Sequence, residues 1–150
     1  MKIGSGMERV DSGVPKRAKN LRPRILFADD DHDVRALYDD YFTSRGFRVD
    51  VVGDGRGAWE RAITTGCDVI VIDLWMFPHD GLEALHRLKR HPATAHIPVI
   101  VCSGARFNRM IERALHGACD GYVAKPCRLS ELLAEIRRVL DRRIEHRQPA

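Results

Sequence analysis

Four short apolar runs in this chain each end at a residue able to do polar chemistry. Ile25-Leu26-Phe27-Ala28 leads into Asp29-Asp30-Asp31, and Val69-Ile70-Val71-Ile72 into Asp73. Pro98-Val99-Ile100-Val101-Cys102 ends at Ser103, and Tyr122-Val123-Ala124 at Lys125-Pro126. If these ends meet, Asp29, Asp30 and Asp73 share one small volume, where like charges raise at least one pKa unless a counter-charge is present. An all-oxygen cluster of few carboxylates suits Mg²⁺ rather than zinc, which favours His and Cys. Lys125 adds a positive charge and Ser103 a hydroxyl, so the set becomes a receptor for phosphoryl oxygens. Asp73 stands alone at its run's end and is the candidate nucleophile, since carboxylates serve as covalent phosphoryl acceptors. The chemistry to expect is phosphoryl transfer onto an aspartate.

The elements that must position these groups are legible in the spacing. Short continuous apolar runs bounded by turn signals read as strands buried on both faces of a parallel sheet. Ligands of such open sheets bind beyond the strands' carboxyl ends. Val34, Leu37, Tyr38, Tyr41 and Phe42 recur at helical spacing, and Gly46 is placed to end that helix. Phe47, Val49 and Val51 alternate as a second strand would, and Ala58, Trp59, Ala62 and Ile63 suggest a second helix. Asp80-Gly81-Leu82-Glu83 reads as a capping box opening a third, with Leu82, Leu85 and Leu88 as its buried stripe. A fourth helix fits Met110, Ile111, Ala114, Leu115 and Ala118, and a fifth Leu129, Leu132, Leu133, Ile136, Val139 and Leu140. Strand and helix alternate five times, which argues for an α/β architecture with right-handed crossovers.

Bulk properties narrow the field. A chain of 150 residues is one domain by length. No stretch approaches the roughly 20 apolar residues of a membrane span, and no secretory h-region opens the chain. Cys67, Cys102, Cys119 and Cys127 form no CxxC pair and read as reduced thiols, so a cytoplasmic location is expected. The net charge of +4 is unevenly spread. Residues 1–22 hold six Lys/Arg against two acids and residues 141–150 three against two, leaving 23–140 at −1. The expected organisation is a flexible basic extension over 1–22, a globular unit over 23–140 and a charged tail over 141–150. The extension lacks interleaved aromatics or a repeating pattern and reads as a solvated leader rather than a nucleic-acid arm.

Taken singly, the site residues have plain structural readings: helix caps for the acids, a loop contact for Ser103, a solvent-facing Lys125. Taken together and in order, the five segments around Asp29-Asp30, Asp73, Asp80-Gly81, Ser103-Gly104 and Lys125-Pro126 resemble response regulator receiver domains, similar to the stand-alone chemotaxis-type regulators, over residues 24 to about 140. The resemblance implies a flavodoxin-like, doubly wound five-stranded parallel sheet of order 2-1-3-4-5 with five helices. It implies Asp73 as phosphoacceptor from a sensor histidine kinase or histidine phosphotransfer protein, with Ser103 and Lys125 on the phosphoryl oxygens. Asp30 and Asp73 would hold Mg²⁺ directly, Asp29 mainly through water, and the Trp75 backbone carbonyl would be a further ligand. Ser103 and Tyr122 would form the switch, Lys125-Pro126 would be cis, and the fourth helix, fifth strand and fifth helix would carry the output. Catalysis would extend only to the protein's own phosphorylation and dephosphorylation.

Three departures from the family pattern stand out. The proline usual four residues after the acceptor is Pro78, with Phe77 in its place; the residue two after Asp73 is Trp75; and Gly104 replaces a common alanine. Trp75 either shields the phosphoryl group from water or faces solvent as a contact surface. As to partners, the expectation is a downstream protein target, no DNA-binding domain, no membrane, and a monomer or weak dimer. A phosphorelay intermediate or the receiver of a longer regulator are the alternatives, with a phosphorylation-independent scaffold behind them. A haloacid-dehalogenase-type phosphatase is disfavoured because its second aspartate, two residues on, is here Trp75.

Overall fold

Residues 22–76, 80–104, 113, 115 and 117–146 are described by a computed structural model. The chain order is β1 (Arg24–Ala28), α1 (His32–Ser44), β2 (Arg48–Val52), α2 (Gly55–Thr65), β3 (Val69–Ile72), α3 (Gly81–Arg90), β4 (Val99–Ser103), β5 (Gly121–Ala124) and α4 (Leu129–Glu145). The strands form one sheet of order β2-β1-β3-β4-β5, and every neighbouring pair is parallel. This is the doubly wound order that the family resemblance implied. Four helices are described against the five expected. Most of the segment read as the fourth, around Met110–Ala118, falls outside the described residues, although Leu115 is buried in the core. Residues 1–21 of the expected basic extension over 1–22, and the Phe77-Pro78 departure, also lie outside them.

The two-residue period of the strands explains why both sheet faces are covered. Leu26, Ala28, Ile70, Ile72, Val99 and Val101 face one layer, packed with Ala58 and Ala62 of α2 and Leu85 and Leu88 of α3. Ile25, Phe27, Val69, Val71, Ile100 and Cys102 face the other, packed with Tyr38 and Phe42 of α1 and Leu132, Ile136 and Val139 of α4. A strand between two such layers must be apolar at every position, and β3 is Val-Ile-Val-Ile, wholly buried.

The helix ends follow their local chemistry. Asp31 caps α1 by accepting from the Asp33 and Val34 amides, and Asp54 caps α2 by accepting from the Gly57 amide. Beyond α1, Gly46 takes φ +91°, the left-handed turn its position predicted. At α3 the Asp80 side chain accepts from the Leu82 amide at 2.7 Å. Glu83 makes no return bond among the described residues, so only half of the expected capping box forms; its side chain lines a groove with Arg87 and Trp59. The last helix runs to Glu145, beyond the Leu140 at which its apolar stripe ends. Arg143 reaches the base of the sheet there, donating to the Asp68 carbonyl at 2.8 Å.

Candidate functional site

Backbone register brings the four strand ends level. Ala28 is the partner of Ile72, Ile72 of Val101, and Ser103 of Ala124. The Asp73 amide donates to the Ala28 carbonyl at 3.0 Å, and the Lys125 amide to the Ser103 carbonyl at 3.0 Å. Asp29, Asp73, Ser103 and Lys125, up to 96 residues apart in sequence, therefore emerge on one edge of the sheet.

Their side chains form a single network. The Lys125 ammonium donates to Asp29 Oδ2 and, at 3.0 Å, to Asp73 Oδ2. Ser103 Oγ donates to Asp73 Oδ1 at 3.1 Å, and the Trp75 amide to the same oxygen at 2.9 Å. Asp29 Oδ1 accepts from the Asp31 amide at 3.0 Å. Asp29, Asp73 and Ser103 are buried, at 2%, 9% and 1% exposure, so each needs these partners. Asp30 is exposed. Burial works against the Lys125 ammonium, but hydrogen bonds and charge from Asp29 and Asp73 outweigh it and hold its pKa above the ordinary lysine range.

The donor set fits a hard divalent cation. One carboxylate oxygen from each of Asp29, Asp30 and Asp73 lies within 4.8 Å of the others, and no nitrogen or sulfur ligand belongs to the group. Three acids with one lysine leave the cluster negative, which is the imbalance such an ion corrects. A groove of about 730 Å³ between α2 and α3 lies elsewhere, lined by Trp59, Arg87 and His91, and brings none of Asp29, Asp30 or Asp73 into its wall.

Local packing explains two neighbours of Asp73. A Cβ on Gly81 would stand 1.9 Å from the Asp73 carbonyl oxygen, so only glycine lets α3 begin against that backbone. The Gly81 amide donates to the Leu74 carbonyl at 3.1 Å, tying the loop after Asp73 to the helix. Trp75 is 59% exposed, its backbone rather than its indole being engaged with Asp73. The Lys125–Pro126 bond is cis, as the resemblance implied. Tyr122 is half-buried beside the Leu88 and Val101 layer with its hydroxyl buried. Arg35, which donates to the Asp29 carbonyl at 2.8 Å, was not singled out from sequence. Nothing in its local pattern marks it, because its target is set by the sheet.

The family model for the response regulator receiver domain matches residues 25–137. The chain belongs to that family. Members are non-enzymatic signalling modules of two-component response regulators. This receiver is 39% identical over 122 residues to the transcriptional activator protein PfeR of Pseudomonas aeruginosa, covering 80% of this chain and 38% of that protein. It is 34% identical over 114 residues to the transcriptional regulatory protein TcrA of Mycobacterium tuberculosis, covering 76% of this chain and 44% of the relative. Among solved structures, the receiver domain of the Francisella response regulator 1452 matches with a TM-score of 0.73 at 30% identity, covering 81% of this chain and 98% of that one. A CheY-like receiver from Methanospirillum hungatei shares the fold, with a TM-score of 0.79 at 19% identity over 84% and 99% of the two chains.

The receiver thus spans less than half the length of the curated relatives it matches. Their names place their output in transcription, which overturns the expectation of a protein with no DNA-binding domain that works through a downstream protein target. That expectation came from reading the charged residues after Leu140 as a tail. The charge of a short segment carries no information about the domain a receiver serves. No described helix is long and apolar enough to cross a membrane.

Proposed function

We propose that this receiver takes a phosphoryl group onto Asp73 from the phosphohistidine of a histidine kinase or phosphotransfer protein, in a Mg²⁺-dependent step, and serves as the input unit of a longer, transcription-directed response regulator. The observation that carries the reading is the shared grip on Asp73: Lys125 on one carboxylate oxygen and Ser103 with the Trp75 amide on the other. That arrangement fixes the direction of a buried carboxylate, as a nucleophile needs.

The step balances simply. An Asp73 carboxylate oxygen forms a bond to phosphorus as the phosphorus–nitrogen bond of the donor breaks, and the leaving imidazole keeps the electron pair and takes up a proton. Asp29, Asp30, Asp73 and the Trp75 carbonyl are the groups that would hold Mg²⁺, which when bound neutralises charge on the phosphoryl oxygens. Lys125 moves from its carboxylate partners to a phosphoryl oxygen, and Ser103 follows with its hydroxyl. Movement of Ser103 leaves room for Tyr122, and the change reaches the surface of β5, α4 and the segment before β5. Attack of a water oxygen on phosphorus then breaks the Asp73 oxygen–phosphorus bond, releasing inorganic phosphate and the free carboxylate, and returns the receiver to its resting state.

Intact-protein mass spectrometry after incubation with a small-molecule phosphodonor tests this, with and without Mg²⁺, on wild type and Asp73→Asn. One Mg²⁺-dependent phosphoryl adduct on wild type, absent from the variant, is the expected result. An unmodified wild type, under conditions that modify a control receiver, would point to a phosphorylation-independent scaffold.

A further inference from the structure

Of the three carboxylates in the cluster, Asp30 is the least restrained. Asp29 is held at its amide by the Val52 carbonyl at 3.1 Å and at both carboxylate oxygens by Lys125 and the Asp31 amide. Asp73 is held by Lys125, Ser103 and the Trp75 amide. Asp30 is exposed, and its carboxylate accepts no hydrogen bond among the described residues. Its direction therefore depends on the peptide that precedes it.

That peptide's carbonyl, on Asp29, accepts from Arg35 Nη1 at 2.8 Å. Arg35 lies in the first turns of α1, half-buried, and its guanidinium passes against the loop after β2. A Cβ on Gly53 would stand 3.3 Å from that same nitrogen and 3.7 Å from Cζ. Gly53 does not take a left-handed φ, so clearance for Arg35, not backbone freedom, is what its missing side chain provides.

We propose that Arg35 is a positioning residue for the cation site: its hydrogen bond to the Asp29 carbonyl, through the space left by Gly53, sets the 29–30 peptide and so aims the Asp30 carboxylate. This deepens the Mg²⁺-dependent reading above and rests on it. The sign of the effect separates positioning from simple charge. A guanidinium near the acids repels a divalent cation, so removing it for its charge alone would tighten binding. Removing a partner that orients a ligand weakens binding, typically by a factor of 10 or more.

The test is a Mg²⁺ titration of the metal-free protein followed by tryptophan fluorescence and checked by calorimetry, for wild type, Arg35→Ala, Arg35→Lys and Gly53→Ala. Arg35→Ala is expected to bind roughly tenfold more weakly. Arg35→Lys keeps one donor within reach of the carbonyl and recovers most of the loss, while Gly53→Ala crowds the guanidinium and shows a smaller one. Thermal unfolding without metal confirms that each variant is folded. Equal or tighter Mg²⁺ binding by Arg35→Ala overturns the proposal. A wild type that binds no Mg²⁺ removes the underlying reading instead, so the two failures are distinct.

Discussion

Among the described residues, Lys125 is the one cation bonded to both buried acids of the site, Asp29 and Asp73. Removing one member of a buried charged set leaves the others uncompensated, which costs about 3 kcal/mol. Lys125→Ala is therefore expected to unfold at lower urea in the absence of metal, and millimolar Mg²⁺ is expected to restore most of the loss. An unchanged midpoint would mean that water already balances the two carboxylates. The placement of Asp73, Ser103 and Lys125 at strand ends was legible in the sequence because each directly follows an apolar run. Arg35 was not legible: its partner is a backbone carbonyl and its clearance comes from Gly53, eighteen residues on, brought near only by the pairing of β1 with β2.

At the level of elements, the start of α3 is what ties the loop after Asp73 to the frame. Gly81 touches the Asp73 carbonyl so closely that an added methyl would lie 1.9 Å from it, and that neighbour is backbone. Gly81→Ala must push helix and loop apart, an overpacking cost of about 3 kcal/mol. The expected outcome is a lower unfolding midpoint together with slower phosphorylation of Asp73, since the displaced loop carries the Trp75 amide that grips the carboxylate. A variant with normal stability and normal phosphorylation would show that the two segments move freely. The cap by Asp80 was readable as an Asp before an amphipathic run. The missing return bond from Glu83 was not, because Glu83 lines the groove on the Trp59 side of α3, and that choice is made between helices rather than within one.

For the whole molecule, the two-layer burial of the sheet has a consequence at high pH. Burial first, then the charges of Asp68 and Asp50, pushes the Cys67 thiol up to about 12. Burial, then Cys127, does the same for Cys102. A thiol ionises near 9 once unfolded but stays neutral in the fold, so its contribution is complete below pH 9 and is lost as the pH climbs toward 12. Each thiol is expected to cost about 1.4 kcal/mol by pH 10. Lys125 adds nothing in that interval, because a raised lysine pKa keeps its contribution intact below 10.5. Urea unfolding under reducing conditions from pH 7.5 to 10 checks this: stability falls in wild type and the slope flattens in Cys67→Ala/Cys102→Ala. An equally steep fall in the double variant would place the pH dependence on other groups.

By itself the sequence determined the number and type of the described strands, their alternation with helices, and the identity of the polar residues closing four of the strands. Those features are local: an unbroken apolar run cannot be solvated on either face, and an acid or hydroxyl directly after it must sit at the strand's end. Strand order, the level register of β1, β3, β4 and β5, and the bonds joining Lys125 to Asp29 and Asp73 belong to the tertiary structure. A parallel sheet joins segments through crossovers of a dozen or more residues, and nothing within any one segment encodes which carboxylate oxygen will meet which ammonium.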